Sequence, residues 1–302
     1  MSINMEQPLV TVIVTAYNHS QYIRENLDSI KNQTYKNIQL ILGDDVSPDN
    51  SVEIFEKWLE DNNFSAEKNF HTKNTGLATM LNECIKLAKG KYIKIISADD
   101  YLHPEFLEKT VAKIESLGKE YGMIHTNTYT IDENSSIGED MADHDALGEV
   151  DPYIFRKELI KNNRIAGLTT LIKTEAIIET GEYDSMFIAE DYYRWLKISE
   201  KYLIGYVPEK LAYYRLHQEN ISKIKADRIE IENLILQMMF DKEGNVKNTI
   251  NSITQKYYFS KEKLPSQYIE AYKKYPFNIK RLNIAIQYNI PVPLYKFLNK
   301  MI

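Results

Sequence analysis

The chain has 302 residues, 43% hydrophobic and 26% charged, an ordinary globular balance with enough length for one large domain plus an appendage or for two domains. Its net charge of −6 is uneven: residues 247–302 hold ten Lys/Arg and only two Asp/Glu, so the first 246 residues carry a strong acidic excess. That balance excludes a general nucleic-acid binder and suggests that the basic tail meets something anionic, such as a membrane surface or a pyrophosphate-linked lipid.

Taken in chain order, the N-terminus lacks the basic and apolar regions of a signal peptide. Residues 9–16 are β-branched and nearly continuously apolar, which predicts a strand buried on both faces. The run falls far short of the roughly 20 residues of a membrane span. Ile23, Leu27 and Ile30 then recur at helical spacing, after the polar Asn18-His19-Ser20 that can cap a helix. A second strand is expected at 38–42, ending in Asp44-Asp45, and a helix at about 51–59. A further helix is expected from Gly76 to Ala88, with Cys84 on its apolar stripe as a buried packing thiol. As the only cysteine it can form no intrachain disulfide, which fits a reducing cytosol. A third strand at 92–96 ends in Asp99-Asp100. Strand–helix alternation of this kind predicts a doubly wound α/β sheet, in which ligands bind beyond the carboxyl ends of the strands. Residues 133–150 read as a long polar loop, 153–222 as a second block, and the remainder as helical, with a helix at about 226–240.

Four groups of residues carry candidate chemistry. Asp45 stands before a turn of capping type, where Asp49 or Ser47 caps the next helix. A carboxylate at Asp45 can accept the N3–H of uracil or thymine, and Tyr17 can stack on the base. Asp99 and Asp100 offer hard oxygens for Mg²⁺ or Mn²⁺, or cap the helix starting near Pro104. Asp191 falls in the first turn of a helix, where the helix dipole favours an acid; it either complements that dipole or serves as a general base. Arg215 and His217, two apart on an extended segment, point the same way and can reach a diphosphate, unless the histidine is structural.

The order of these motifs resembles that of the family 2 glycosyltransferases of the GT-A fold. It runs Thr-x-Tyr-Asn, Asp-Asp-x-Ser-x-Asp-x-Ser, Asn-x-Gly, Gly-x-Tyr-Ile before Asp-Asp, then Glu-Asp and Tyr-Arg-x-His. The resemblance covers roughly residues 8–222. It implies a mixed, doubly wound α/β sheet flanked by helices, and inverting transfer of a sugar from a nucleotide diphosphate donor, UDP being the commonest case, with Mn²⁺ or Mg²⁺ as cofactor. Carried over by position, Thr15, Tyr17 and Asp45 match the residues that hold the nucleobase. Asp99 and Asp100 match those that hold ribose and metal. Asp191 matches the catalytic base, with Glu190 and Trp195 on the acceptor side, although Trp195 is equally readable as core. Arg215 and His217 match the segment closing over the diphosphate, His217 also being a metal ligand. Two departures stand out: Ser97 replaces an Asp common two residues before the metal aspartate, and Leu81 replaces an Arg before Asn82. They put the choice of donor in doubt.

The organisation expected is a transferase domain at 1–222, with a donor half at about 8–132 and an acceptor half at about 150–222, followed by a helical, basic region at 223–302. The acceptor implied is a glycan or lipid-linked saccharide in cell-surface polysaccharide synthesis, which places the chain in the cytoplasm. The tail lysines, among them Lys273, Lys274, Lys280, Lys296 and Lys300, either face water on a helical cap or attach the chain to the inner face of an anionic membrane. A non-catalytic nucleotide-sugar sensor on the same fold would bind donor without turnover, which the intact Glu190-Asp191 pair argues against. A nucleotidyltransferase usually has a Gly-rich loop after the first strand, and Ala16-Tyr17-Asn18-His19-Ser20 has no glycine.

Overall fold

Strand β1 (Val10–Ala16) is buried along its whole length, as a continuous apolar run covered on both faces requires. In the computed structural model, which describes residues 7–138, 149–260 and 262–300, β1 lies between two parallel neighbours, β2 (Ile38–Asp44) and β4 (Tyr92–Ser97). A short polar strand, β3 (Glu67–Phe70), pairs in parallel with β2. The other strands are β5 (Tyr101–Leu102), β6 (Tyr121–Ile131), β7 (Thr170–Lys173) and β8 (Leu203–Arg215). The eight strands form one mixed sheet in the order β3-β2-β1-β4-β7-β6-β8-β5. β7 runs antiparallel to both β4 and β6, β8 is parallel to β6, and β5 is antiparallel to β8.

Helices flank this sheet: α1 (Ile23–Lys31), α2 (Ser51–Asn62), α3 (Leu77–Leu87), α4 (Phe106–Ser116), α6 (Thr174–Thr180) and α7 (Glu190–Lys201); between α4 and α6 the chain also forms α5 (Pro152–Lys161). The apolar stripes of α1, α2 and α4 supply Ile23, Leu27, Ile30, Phe55, Trp58, Phe106 and Leu107 to one core with Val12 and Val14 of β1. The Trp58 indole N–H donates to Asp28 at 2.8 Å, so the largest side chain of that core ties α2 to α1. α3 packs tightly on β2, because a Cβ on Gly43 would come 2.7 Å from the Met80 sulfur. Cys84 is buried on the same helix, as its place on the stripe predicts. Burial pushes its thiol up to about 11, so it is an inert packing group.

The chain divides into two compact units: Met1–Arg156 with Arg164–Asn220, and Lys157–Asn163 with Ile221–Ile302. The first holds the sheet. The second contains α8 (Ile221–Ile224), α9 (Ala226–Phe240), α10 (Lys247–Ser260), α11 (Ser266–Lys274), α12 (Lys280–Gln287) and α13 (Val292–Lys300). Its core is rich in tyrosine, and the buried hydroxyls are partnered. Tyr268 pairs with Thr254 at 2.7 Å, Tyr272 donates to Asn251 at 2.7 Å, and Tyr275 donates to Asp241 at 2.6 Å. Residues 139–148 of the loop expected at 133–150 lie outside the described residues.

Candidate active site

The carboxyl ends of β1, β2 and β4 carry half of the expected site residues. Thr15 is buried near the end of β1, and its carbonyl accepts the Ala98 N–H at 2.9 Å, tying β1 to the turn that carries Asp99. Tyr17, just past the strand, is half exposed. At the end of β2, Asp44 turns back to accept from Ser47 N and Oγ. Asp49 accepts from Ser51 N at 3.0 Å and Ser20 N at 2.9 Å, so it satisfies the first backbone N–H of α2 and also anchors the turn after β1.

Asp45 is nearly buried and heavily engaged. Its Oδ1 accepts from Thr75 N at 2.8 Å and meets His71 Nδ1 at 2.7 Å; its Oδ2 accepts from Gly76 N at 2.6 Å. Gly76 has φ +87, so only glycine sits there without strain. Burial alone would raise the Asp45 carboxyl, but these bonds outweigh it and hold the group below its ordinary range. His71 continues the chain of bonds to Glu83 at 2.7 Å. Burial opposes its protonation, yet the two carboxylates raise it above the ordinary histidine value. His71 has no precedent in the sequence reading, because the strand before it, β3, is too polar to show a strand pattern.

Asp99 and Asp100 take different roles. The Asp99 side chain is nine-tenths buried; its Oδ2 lies 3.0 Å from His217 Nε2 and 3.7 Å from His19 Nε2. Its Oδ1 and the His19 Nδ1 have no hydrogen-bond partner among the described residues. One ligand atom from each of His19, Asp99 and His217 lies within 4.8 Å of the others. Asp100, expected beside Asp99 as a metal ligand, falls outside this group. Its Oδ1 accepts the Arg215 N–H at 2.8 Å. Burial, then the neighbouring Asp99 charge, raise Asp100 well above the carboxylate range. Burial works the same way on Asp99, but the His217 bond and the nearby His19 outweigh it and keep that carboxyl low. The two adjacent acids therefore share their charge unequally, with the anion on the side of the histidines.

Arg215 also departs from expectation. It is 1% exposed, and its guanidinium donates to the Asp99 carbonyl at 2.7 Å, the Asp132 carbonyl at 3.0 Å and Ser135 Oγ at 3.0 Å, and pairs with Glu25. With those donors committed, it acts as a clamp behind Asp99 and not as a free diphosphate ligand. His217 is fixed by the same turn: its N–H donates to Asn220 Oδ1 at 2.6 Å, and Asn220 donates back to the Arg215 carbonyl at 3.1 Å.

Glu190 and Asp191 open α7 and are half-buried. Asp191 Oδ1 accepts the Tyr192 N–H at 2.5 Å. A Cβ on Gly167 would lie 3.8 Å from Asp191, and the 3-10 turn Gly167–Thr169 packs on β4, the strand leading to Asp99. Trp195, expected on the acceptor side, is 2% exposed and belongs to the interior. The adjacent Arg194 was not singled out by the sequence. It is fully buried, bonds to Thr180 Oγ1 and the Gly181 carbonyl, and lies 4.0 Å over the Tyr183 ring. Asn82 of α3 grips the Tyr183 backbone in both directions, at 2.8 and 2.9 Å. Helix α3 and the Asp191 helix α7 are thereby linked through one tyrosine.

Comparison with known proteins places this arrangement. The sequence profile of the family described as Glycosyl transferase family 2 matches residues 11–177. An uncharacterized glycosyltransferase of Methanocaldococcus jannaschii is 30% identical over 74% of this chain and 77% of its own length. A putative teichuronic acid biosynthesis glycosyltransferase, TuaG of Bacillus subtilis, is 27% identical over 72% of this chain and 83% of its own. Among solved structures, S. aureus TarS in complex with UDP-GlcNAc superposes with a TM-score of 0.63 at 17% identity, covering 93% of this chain and 86% of that one. The mannosyltransferase PcManGT of Pyrobaculum calidifontis, in complex with GDP-Man and Mn²⁺, gives 0.61 at 17% identity, covering 98% and 84%. The fold is that of the GT-A glycosyltransferases, and the chain belongs to glycosyl transferase family 2.

Proposed function

We propose that this chain transfers a hexosyl or N-acetylhexosaminyl group from a UDP-sugar to an acceptor hydroxyl, with inversion at the anomeric carbon, in the assembly of a surface polysaccharide. The observation that carries the reading is the pairing of two sites in one unit: Glu190-Asp191 at the start of α7, and an ionised, nine-tenths buried Asp99 flanked by two histidines. In this reading Tyr17 stacks on the base, Thr15 lines its pocket, and the remaining lone pair of Asp45 Oδ2 accepts the base N–H. The ribose lies at Asp99, and His217 faces the diphosphate.

Asp191 takes the proton of the acceptor hydroxyl as its oxygen attacks the anomeric carbon. The bond from that carbon to the phosphate oxygen breaks, and the nucleoside diphosphate leaves on the opposite face, which inverts the centre. Asp99, His217 and His19 offer a carboxylate and two imidazoles, a donor set that fits Mn²⁺. A cation held by these residues would supply positive charge to offset that of the diphosphate. Glu190 stands beside the base to orient the acceptor. Arg215 holds the Asp99 backbone and keeps the carboxylate in place. The acceptor is a glycan or lipid-linked saccharide, met where the basic second unit touches the inner face of an anionic membrane. Among the described residues no helix is long and apolar enough to cross one.

Asp191→Asn tests the assignment. Turnover of donor, read as release of nucleoside diphosphate, should fall by about 10²–10⁴-fold while UDP binding by calorimetry is retained. A correctly folded Asp191→Asn protein that still transfers sugar removes Asp191 from its role.

A further inference from the structure

His19 belongs to the turn after β1, which the left-handed residue Asn18 (φ 61) bends sharply. Three bonds from neighbouring residues hold that turn. Asn18 N donates to Ser47 Oγ at 3.0 Å, His19 N to Ser51 Oγ at 3.3 Å, and Ser20 N to Asp49 at 2.9 Å. The His19 ring is thus delivered to the end of β4 by the backbone, edge-on to His217 with centroids 6.1 Å apart. Its Nε2 faces Asp99 Oδ2 at 3.7 Å, too long for a hydrogen bond. Asp99 Oδ1 meanwhile has no partner among the described residues, although its side chain is nine-tenths buried. A buried carboxylate oxygen left in this state is costly unless something not belonging to the chain satisfies it.

We propose that His19 is a third protein ligand, which with Asp99 and His217 forms a site that binds a transition-metal cation before the nucleotide arrives and selects Mn²⁺ or Co²⁺ over Mg²⁺. Neighbouring ligand atoms at about 2.1 Å from an octahedral cation stand about 3 Å apart. His217 and Asp99 already have that spacing at 3.0 Å, and His19 needs to move by under about 1 Å. Two imidazole nitrogens and one carboxylate suit borderline cations, whereas Mg²⁺ demands oxygen and keeps its waters. A site with one carboxylate would depend on the diphosphate to hold its metal; three protein ligands lessen that dependence. The proposal rests on the transferase reading for what the cation does, but not for whether it binds.

The test uses the full chain, free of nucleotide, with Mn²⁺ as probe. Electron paramagnetic resonance titration should show one bound Mn²⁺ that a tenfold excess of Mg²⁺ does not displace. Pulsed measurements should detect nitrogen coupling from two histidines. In His19→Ala and His19→Asn, one coupling should disappear and the affinity for Mn²⁺ should fall at least tenfold. Wild-type protein with only one histidine coupling would overturn the proposal without need of any variant. So would Mn²⁺ that binds only when UDP is added, although the transferase reading would then stand. Absence of Mn²⁺ binding with and without UDP would remove both this site and the metal from the proposed reaction.

Discussion

Val46 stands between the acid assigned to the nucleobase and the serine that closes its turn, with φ 64 and 40% of its surface exposed. A β-branched residue in the left-handed region is an outlier, and the conformation costs about 1–2 kcal/mol for a residue with a Cβ. The bonds that Asp44 and Asp45 make on either side hold it there. Val46→Gly should therefore stabilise the protein by about 0.5–1 kcal/mol, because glycine relieves the strain but loses more backbone entropy on folding. Chemical denaturation measures it, and a variant no more stable than the wild type would show that the turn carries no strain. At this scale the sequence was most informative about carboxylates. Asp45, Asp99 and Asp191 stand at strand ends and a helix start, where acids follow from the local pattern. It was least informative about what those acids touch. Nothing in the spacing of His19 and His217 announces that both meet Asp99, since 198 residues separate them and only the closed sheet brings them together. Arg215 and Asp100 were legible as charges but not as partners of each other, because both are consumed by burial.

Elements that bury an apolar stripe were readable. The helices at 51–62, 77–87 and 190–201 follow from their 3.6-residue pattern, and β1 from its unbroken apolar run, whereas α9 buries Glu232 and the contiguous residues 234–238 and shows no single stripe. β3 escaped because Glu67-Lys68-Asn69-Phe70 has no alternation, and the partners that make it a strand lie in β2. The last helices show a pattern that burial in their own unit does not explain. On α12, Leu282 and Ala285 are buried while Ile284, and Tyr288 just past the helix end, are exposed. On α13, Tyr295 is buried while Leu294, Phe297 and Leu298 are exposed. Lys273, Lys274, Lys280 and Arg281 are exposed in the same unit. Apolar side chains beside cations are what an anionic bilayer surface accommodates. The full chain should float with vesicles containing phosphatidylglycerol at low salt and less so as salt rises. Phe297→Glu combined with Leu298→Glu should weaken flotation. A wild-type chain that stays unbound at low salt would reduce these helices to a solvated cap.

Over the whole molecule, charge and topology divide the work. The acidic sheet unit carries every candidate ligand for cation and nucleotide, and the basic excess lies in the helical unit. An acidic unit repels a nucleotide diphosphate unless a cation intervenes, so the charge of the whole unit points the same way as the proposed cation site at Asp99. Topology explains why so much was visible beforehand. In a doubly wound sheet the carboxyl ends of β1, β2 and β4 face one crevice, so the ends of predicted strands are also predicted site positions. The antiparallel half of the sheet was less legible. There β6 and β8 pair across some 80 residues of chain, and their register, with its bulges near Asn127, depends on tertiary contacts. Metal-dependent sugar transfer is tested most directly by incubating the purified full chain with Mn²⁺ and a panel of nucleotide sugars, and measuring released nucleoside diphosphate with and without EDTA. Slow, metal-dependent release from one UDP-sugar, abolished by EDTA and restored by added Mn²⁺, is the result expected. Release that continues unchanged in EDTA, or binding of no nucleotide by the metal-loaded chain, would contradict it.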